Sequence, residues 1–129
     1  MKDQEVAARP PLIACVDDDA SVREAIEGLL LASRFRVVTF DSAEAMLQSE
    51  RLDSLSCLIA DVKLGGKSGL ELQRDLLAMG HAIPTIIITA FFEEGYRGPA
   101  MKAGAVAFLP KPISSERLLS AVNTALGRG

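Results

Sequence analysis

LIACVDDDASVREAIEGLL, residues 12–30, is the stretch whose reading decides the fold. Its first five residues form an unbroken apolar run, the pattern of a strand covered on both faces. Three adjacent carboxylates follow, Asp17, Asp18 and Asp19. Beyond them Val22, Ala25, Ile26, Leu29 and Leu30 recur at helical spacing. The junction of strand, acids and helix is the first half of a β-α-β unit. The acids themselves need a reason, because each ionised carboxylate disfavours ionisation of its neighbours.

The same alternation runs to the end of the chain. FRVVTF (35–40) reads as a strand and SAEAMLQS (42–49) as a short helix opened by a serine cap. CLIA (57–60) is a buried strand, followed by the Gly-rich loop LGGKSG (64–69) and by helical spacing of Leu70, Leu72, Leu76, Leu77 and Met79. PTIIIT (84–89) and AVAFL (105–109) supply two more strands, and SSERLLSAVNTAL (114–126) a last helix with its own serine cap. Five strands alternating with helices predict a doubly wound α/β domain with a parallel sheet. Residues 1–11, aperiodic and ending in Pro-Pro, are expected to be a flexible tail, and 12–127 the domain.

Bulk properties narrow the function. A chain of 129 residues, 49% of them hydrophobic, is one domain with enough apolar side chain for a full core. The net charge of -3, with no run of five Lys or Arg, leaves no electrostatic footprint for direct nucleic-acid binding. No segment approaches the ~20 apolar residues of a membrane span, and no signal-peptide pattern opens the chain. Cys15 and Cys57 sit inside apolar runs and read as core thiols of a reducing, cytoplasmic protein.

In open α/β sheets, ligands bind at the carboxyl ends of the strands, at a topological switch point. The first strand delivers Asp17 and Asp18 there, the third Asp61 and the fourth Thr89, while Lys111 lies just beyond the fifth. Taken singly, each is ordinary: an acid before a helix is a cap, an Asp after a strand a turn former. Their coincidence at one rim is not. Clustered carboxylates are stabilised by a divalent cation, and an all-oxygen site favours Mg²⁺. A carboxylate can also act as a nucleophile and form an aspartyl phosphate, with Lys111 and Thr89 placed to bind phosphoryl oxygens.

The segments VDDD, IADVKLGGKSGLEL, TIIITA and AGAVAFLPKP, in this order and spacing, resemble the signature of two-component response-regulator receiver domains. The likeness runs from Leu12 to Leu126 and is strongest to receivers of nitrogen-fixation-type transcription regulators. The resemblance implies the flavodoxin-like receiver fold, with strand order 2-1-3-4-5. It implies that Asp61 takes a phosphoryl group from a sensor histidine kinase or a phosphotransfer protein, and that Asp17, Asp18, Asp61 and the carbonyl of Lys63 hold Mg²⁺. Thr89 and Phe108 would form the switch, and Lys111, aimed by a cis bond to Pro112, would sense the phosphoryl group. An output domain or protein target, and a second copy of the chain as a homodimer, are the further partners it implies. Such a domain is not a turnover enzyme; it catalyses only its own phosphorylation and dephosphorylation.

Rival readings remain. A pseudo-receiver would bind partners without phosphorylation. A haloacid-dehalogenase-type phosphatase would place a second Asp where Lys63 stands. A flavin-binding module would need hydroxyls and glycines where the three acids are. The chain departs from the family at Gly65, where the family carries Pro, which predicts a softer loop. It departs again in FFEEGYRGP (91–99): Gly95, Gly98 and Pro99 oppose a helix, so the fourth helix is expected to be shortened, beginning near Pro99 and ending near Lys102 or Ala103. Phe91, Phe92 and Tyr96 read either as core or as a partner surface. His81, the only histidine, falls in a loop before Pro84 and carries no expected role.

Overall fold

A computed structural model describes residues 9–90 and 94–128. Most of the expected tail, residues 1–8, lies outside the described residues, as do Phe91 and Phe92. Pro10 and Pro11 are within them, and their carbonyls accept hydrogen bonds from Arg36 (2.9 Å to Nε and 3.0 Å to the backbone N).

The elements run β1 Leu12–Val16, α1 Ala20–Ala32, β2 Arg36–Phe40, α2 Ala43–Leu47, a 3-10 turn Leu52–Ser54 and β3 Leu55–Asp61. They continue with α3 Gly69–Ala78, β4 Thr85–Thr89, α4 Glu94–Lys102, β5 Ala107–Pro110 and α5 Ser115–Ala125. All strand pairs are parallel, in the order β2-β1-β3-β4-β5. The chain reverses its winding direction after β2, so the carboxyl ends of β1 and β3 flank the switch point.

Strand alternation divides the core. Ile13, Cys15, Cys57, Ile59, Ile86 and Ile88 face Ile26 and Leu30 of α1 and Leu118 and Val122 of α5. Ala14, Val16, Leu58, Ala60, Ile87 and Phe108 face Met46, Leu72, Leu76 and Ala100 on α2, α3 and α4. The helix starts are fixed locally. Ser42, Ser68 and Ser114 cap α2, α3 and α5, and Glu71 completes a capping box with Ser68.

The fourth helix departs from the expectation. It is continuous from Glu94 to Lys102 with Pro99 inside it, where the glycines and the proline predict a start near Pro99. One local fact and one of packing make this cheaper than average propensities suggest. Proline disfavours helical geometry at its predecessor through clashes with that residue's backbone N–H and Cβ, and Gly98 lacks the second of these. Packing supplies the rest: Ala100 is fully buried and Tyr96 packs against the same core cluster. Burial of these two residues overrides the propensity of the glycines and the proline.

Candidate functional site

The site lies on the carboxyl rim of the sheet. Asp17 follows the last residue of β1, Asp61 ends β3, Thr89 ends β4 and Lys111 follows β5. Parallel register brings them level: Val16 pairs with Ala60, Asp61 with Ile88, and Thr89 with Pro110. Asp17 and Thr89 are fully buried, and Asp61 is 5% exposed. Asp18 is exposed. Ligand oxygens of Asp17, Asp18 and Asp61 lie within 4.8 Å of one another.

One cation is already among them. Lys111 Nζ lies 2.7 Å from Asp61 Oδ2 and 2.9 Å from Asp17 Oδ2. The Lys111 backbone N–H donates to the Thr89 carbonyl at 2.9 Å, and the Lys111–Pro112 bond is cis, as the resemblance implies. Asp61 Oδ1 accepts the Lys63 backbone N–H at 3.2 Å. Asp17 Oδ1 accepts the Asp19 N–H at 2.9 Å, while Oδ2 faces the Lys111 ammonium.

Burial raises the Asp17 carboxyl above its ordinary value, outweighing the Asp19 and Lys111 hydrogen bonds that pull it down. For Lys111, burial pulls downward, but hydrogen bonds to Asp61 and Asp17 outweigh it and hold the ammonium above its ordinary value. The ammonium therefore stays charged, and it is the counter-ion of the pocket.

Three carboxylates that offer only oxygen ligands suit a hard divalent cation such as Mg²⁺ better than a soft one.

Asp19, the third acid of the triplet, does not join the cluster. It caps α1, accepting the N–H groups of Ser21 and Val22 at 2.9 and 3.4 Å. Phe108 sits on β5 opposite Ile87, 4% exposed, in the core cluster that holds Tyr96 and Ala100. The Lys63 side chain lies over the Tyr96 ring, 5.6 Å from its centroid. His81 lies between α3 and β4, 3.3 Å from Asp53.

Three contributors are absent from the sequence reading. Arg23 of α1 donates to the Asp17 carbonyl at 2.7 Å and braces the acid turn. Gly69 begins α3 so close to β3 that a Cβ there would overlap the Asp61 carbonyl oxygen. Glu44 accepts the Lys67 N–H at 3.0 Å from α2. Periodicity cannot find Arg23 and Glu44, because both are polar residues on helices with ordinary solvent-face spacing. Gly69 carries a weak signal as the last glycine before a helix.

The expected softness of the Gly65–Gly66 loop takes a different form. Gly65 has φ +83°, a left-handed backbone that proline cannot adopt. The loop has its own conformation, bound at both sides: by Glu44, by an Asp75–Lys67 ion pair of 2.9 Å, and by the Gly69 N–H donating to the Val62 carbonyl at 3.0 Å.

The family described as the response regulator receiver domain matches residues 13–123. Nodulation protein W of Bradyrhizobium diazoefficiens is 41% identical over 122 residues, which cover 95% of this chain and 54% of that protein. The transcriptional regulatory protein FixJ of the same species is 35% identical over 114 residues, 88% of this chain and 56% of that protein. The chain therefore spans about half the length of the curated relatives it matches. Among solved structures, response regulator StyR is similar at a TM-score of 0.85 and 42% identity, over 92% of this chain and 60% of that one. FixJ-N is similar at 0.82 and 31%, over 94% and 97%.

Proposed function

The chain belongs to the response regulator receiver domain family, and from that premise we propose that Asp61 is its phosphoryl acceptor. An oxygen of the Asp61 carboxylate attacks the phosphorus of a phosphohistidine on a sensor kinase or phosphotransfer protein. The P–N bond breaks, and the imidazole nitrogen keeps the electron pair and takes up a proton. The observation that carries the reading is the surrounding of Asp61. One of its oxygens is held by the Lys63 N–H, the other faces the Lys111 ammonium, and two further carboxylates lie beside it.

Asp17, Asp18, Asp61 and the Lys63 carbonyl are the groups that would hold Mg²⁺. When bound, that ion supplies positive charge against the oxygens of the transferring group. Lys111 then pairs with a phosphoryl oxygen instead of the bare carboxylate, and Thr89 offers its hydroxyl to another. Phe108, on β5 beside the β4 strand that Thr89 ends, responds with Thr89 and carries the change to the α4–β5 face. An apolar groove of about 270 Å³, lined by Val22, Ala25, Leu29 and Ile113, opens beside Lys111 and offers the phosphodonor protein a surface.

The domain acts as a cytoplasmic switch that hydrolyses only its own aspartyl phosphate, and its output is a linked domain, a separate protein or a second copy of itself. The reading is tested by intact mass after incubation with acetyl phosphate and Mg²⁺. The wild type is expected to gain the mass of one HPO₃ unit, and Asp61→Asn to gain none. Undiminished labelling of Asp61→Asn would overturn the assignment.

A further inference from the structure

Glu44 has no part in that chemistry, and it is exposed on a helix of only five residues. Yet its carboxylate leaves α2 and reaches the loop between β3 and α3, taking the Lys67 N–H at 3.0 Å across 23 residues of sequence. It also lies directly over Gly66. A Cβ on Gly66 would come within 2.7 Å of Oε2, 3.2 Å of Oε1 and 3.3 Å of Cδ. The missing side chain at 66 and the carboxylate at 44 are thus matched pieces. The bond from Lys67 holds the Glu44 carboxyl below its ordinary value, so the partner is the charged form.

The loop needs such a partner. It contains two consecutive glycines, which lose more conformational freedom on ordering than any other residues. It also carries Lys63, whose N–H holds Asp61 Oδ1. We infer that Glu44 is a positioning residue for phosphoryl acceptance: seated over Gly66, it clasps the loop and so fixes the Lys63 backbone beside Asp61. The inference rests on the reading of Asp61 as acceptor, but the clasp itself can be measured without phosphorylation.

The test compares Glu44→Ala, Glu44→Gln, Gly66→Ala and the double variant Glu44→Ala with Gly66→Ala. Mg²⁺ binding is followed by amide chemical shifts, and the loop by hydrogen exchange without metal. Glu44→Ala is expected to raise the Mg²⁺ concentration at half-saturation about fivefold, the equivalent of one net hydrogen bond. It is also expected to speed exchange of the Lys67 amide and to slow labelling by acetyl phosphate. Glu44→Gln keeps an acceptor oxygen and is expected to recover most of each loss. Gly66→Ala requires only the flexible end of Glu44 to move. It is expected to reproduce Glu44→Ala with little change in melting temperature, and to add nothing in the double variant. Wild-type exchange and Mg²⁺ affinity in Glu44→Ala would overturn the inference, as would full additivity of the two substitutions. If the wild type takes no phosphoryl group, the acceptor reading fails, and the clasp stands or falls on exchange and Mg²⁺ binding.

Discussion

The Lys111 ammonium lies 2.7 Å from Oδ2 of Asp61, although fifty residues separate the two in sequence. The same nitrogen is 2.9 Å from Asp17. Before any metal enters, a protein cation bridges the ends of β1 and β3, and this is how the fold tolerates a buried carboxylate pair.

Removing that cation exposes the cost. Lys111→Met keeps the unbranched stem and deletes the charge, leaving Asp17 and Asp61 facing one another. Without Mg²⁺ the variant is expected to lose ~3 kcal/mol, the low end for breaking a buried ion pair, because the Lys111 side chain retains 16% exposure. Millimolar Mg²⁺ is expected to recover more stability in the variant than it adds to the wild type. Urea unfolding with and without Mg²⁺ checks this; equal Mg²⁺ increments in both proteins would refute it.

Installing the family residue at position 65 is expected to damage this protein. Gly65 has φ +83° and proline is held near -65°, so Gly65→Pro forces the loop out of its clasp. A stability loss of ~1–3 kcal/mol is expected for a misfit backbone, together with weakened Mg²⁺ binding. A variant that binds Mg²⁺ as tightly as wild type would show the loop to be indifferent to its conformation.

The two glycines of α4 are expected to behave differently. At both, a methyl group in place of the hydrogen would point into open space, clear of everything but the chain neighbours and the helix's own backbone. Gly95→Ala is expected to stabilise by ~0.5 kcal/mol, the lower range for removing a helical glycine. Gly98→Ala is expected to gain nothing or to destabilise, because its Cβ would meet the ring of its neighbour Pro99. Thermal melts of the pair decide it, and equal gains would undo the account of how α4 accommodates Pro99.

Alkaline pH is expected to weaken the fold. Burial pushes the Cys15 and Cys57 thiols up to about 12 from an ordinary 9.0, with nearby Asp17 adding to the shift at Cys15. The folded values exceed the unfolded ones, so the stability they contribute is complete below pH 9 and is lost as pH rises towards 12. Above 9, each thiol removes about 1.4 kcal/mol per pH unit. The raised ammonium of Lys111 acts in the same direction above its ordinary 10.5. Urea titrations in rising pH steps measure the slope, which Cys57→Ala is expected to reduce; a flat profile would refute the prediction.

The sheet is legible in the sequence because its strands are continuous apolar runs, and β1 can be read to the residue. Asp17, Asp18, Asp61 and Lys111 can be placed on one rim because parallel strands all deliver their carboxyl ends to the same side. The 3-10 turn at Leu52–Ser54 and the course of α4 cannot be read. Both depend on tertiary burial, of Leu52 in one case and of Ala100 and Tyr96 in the other. Glu44 escapes for a related reason. Its partner is a backbone amide, and a backbone amide leaves no mark in an amino-acid sequence.

At the start of α3, glycine is the one residue without the atom that would strike the Asp61 carbonyl oxygen. In a replicating gene, every missense change of codon 69 adds that atom, so the locus is open to silent substitution alone. A lineage that lost this glycine would have to move the whole third helix away from the central strand before it regained a usable acceptor. Repair is therefore expected at distant helix-packing positions or by true reversion, and selection for revertants of Gly69→Ala would reveal which route is shorter.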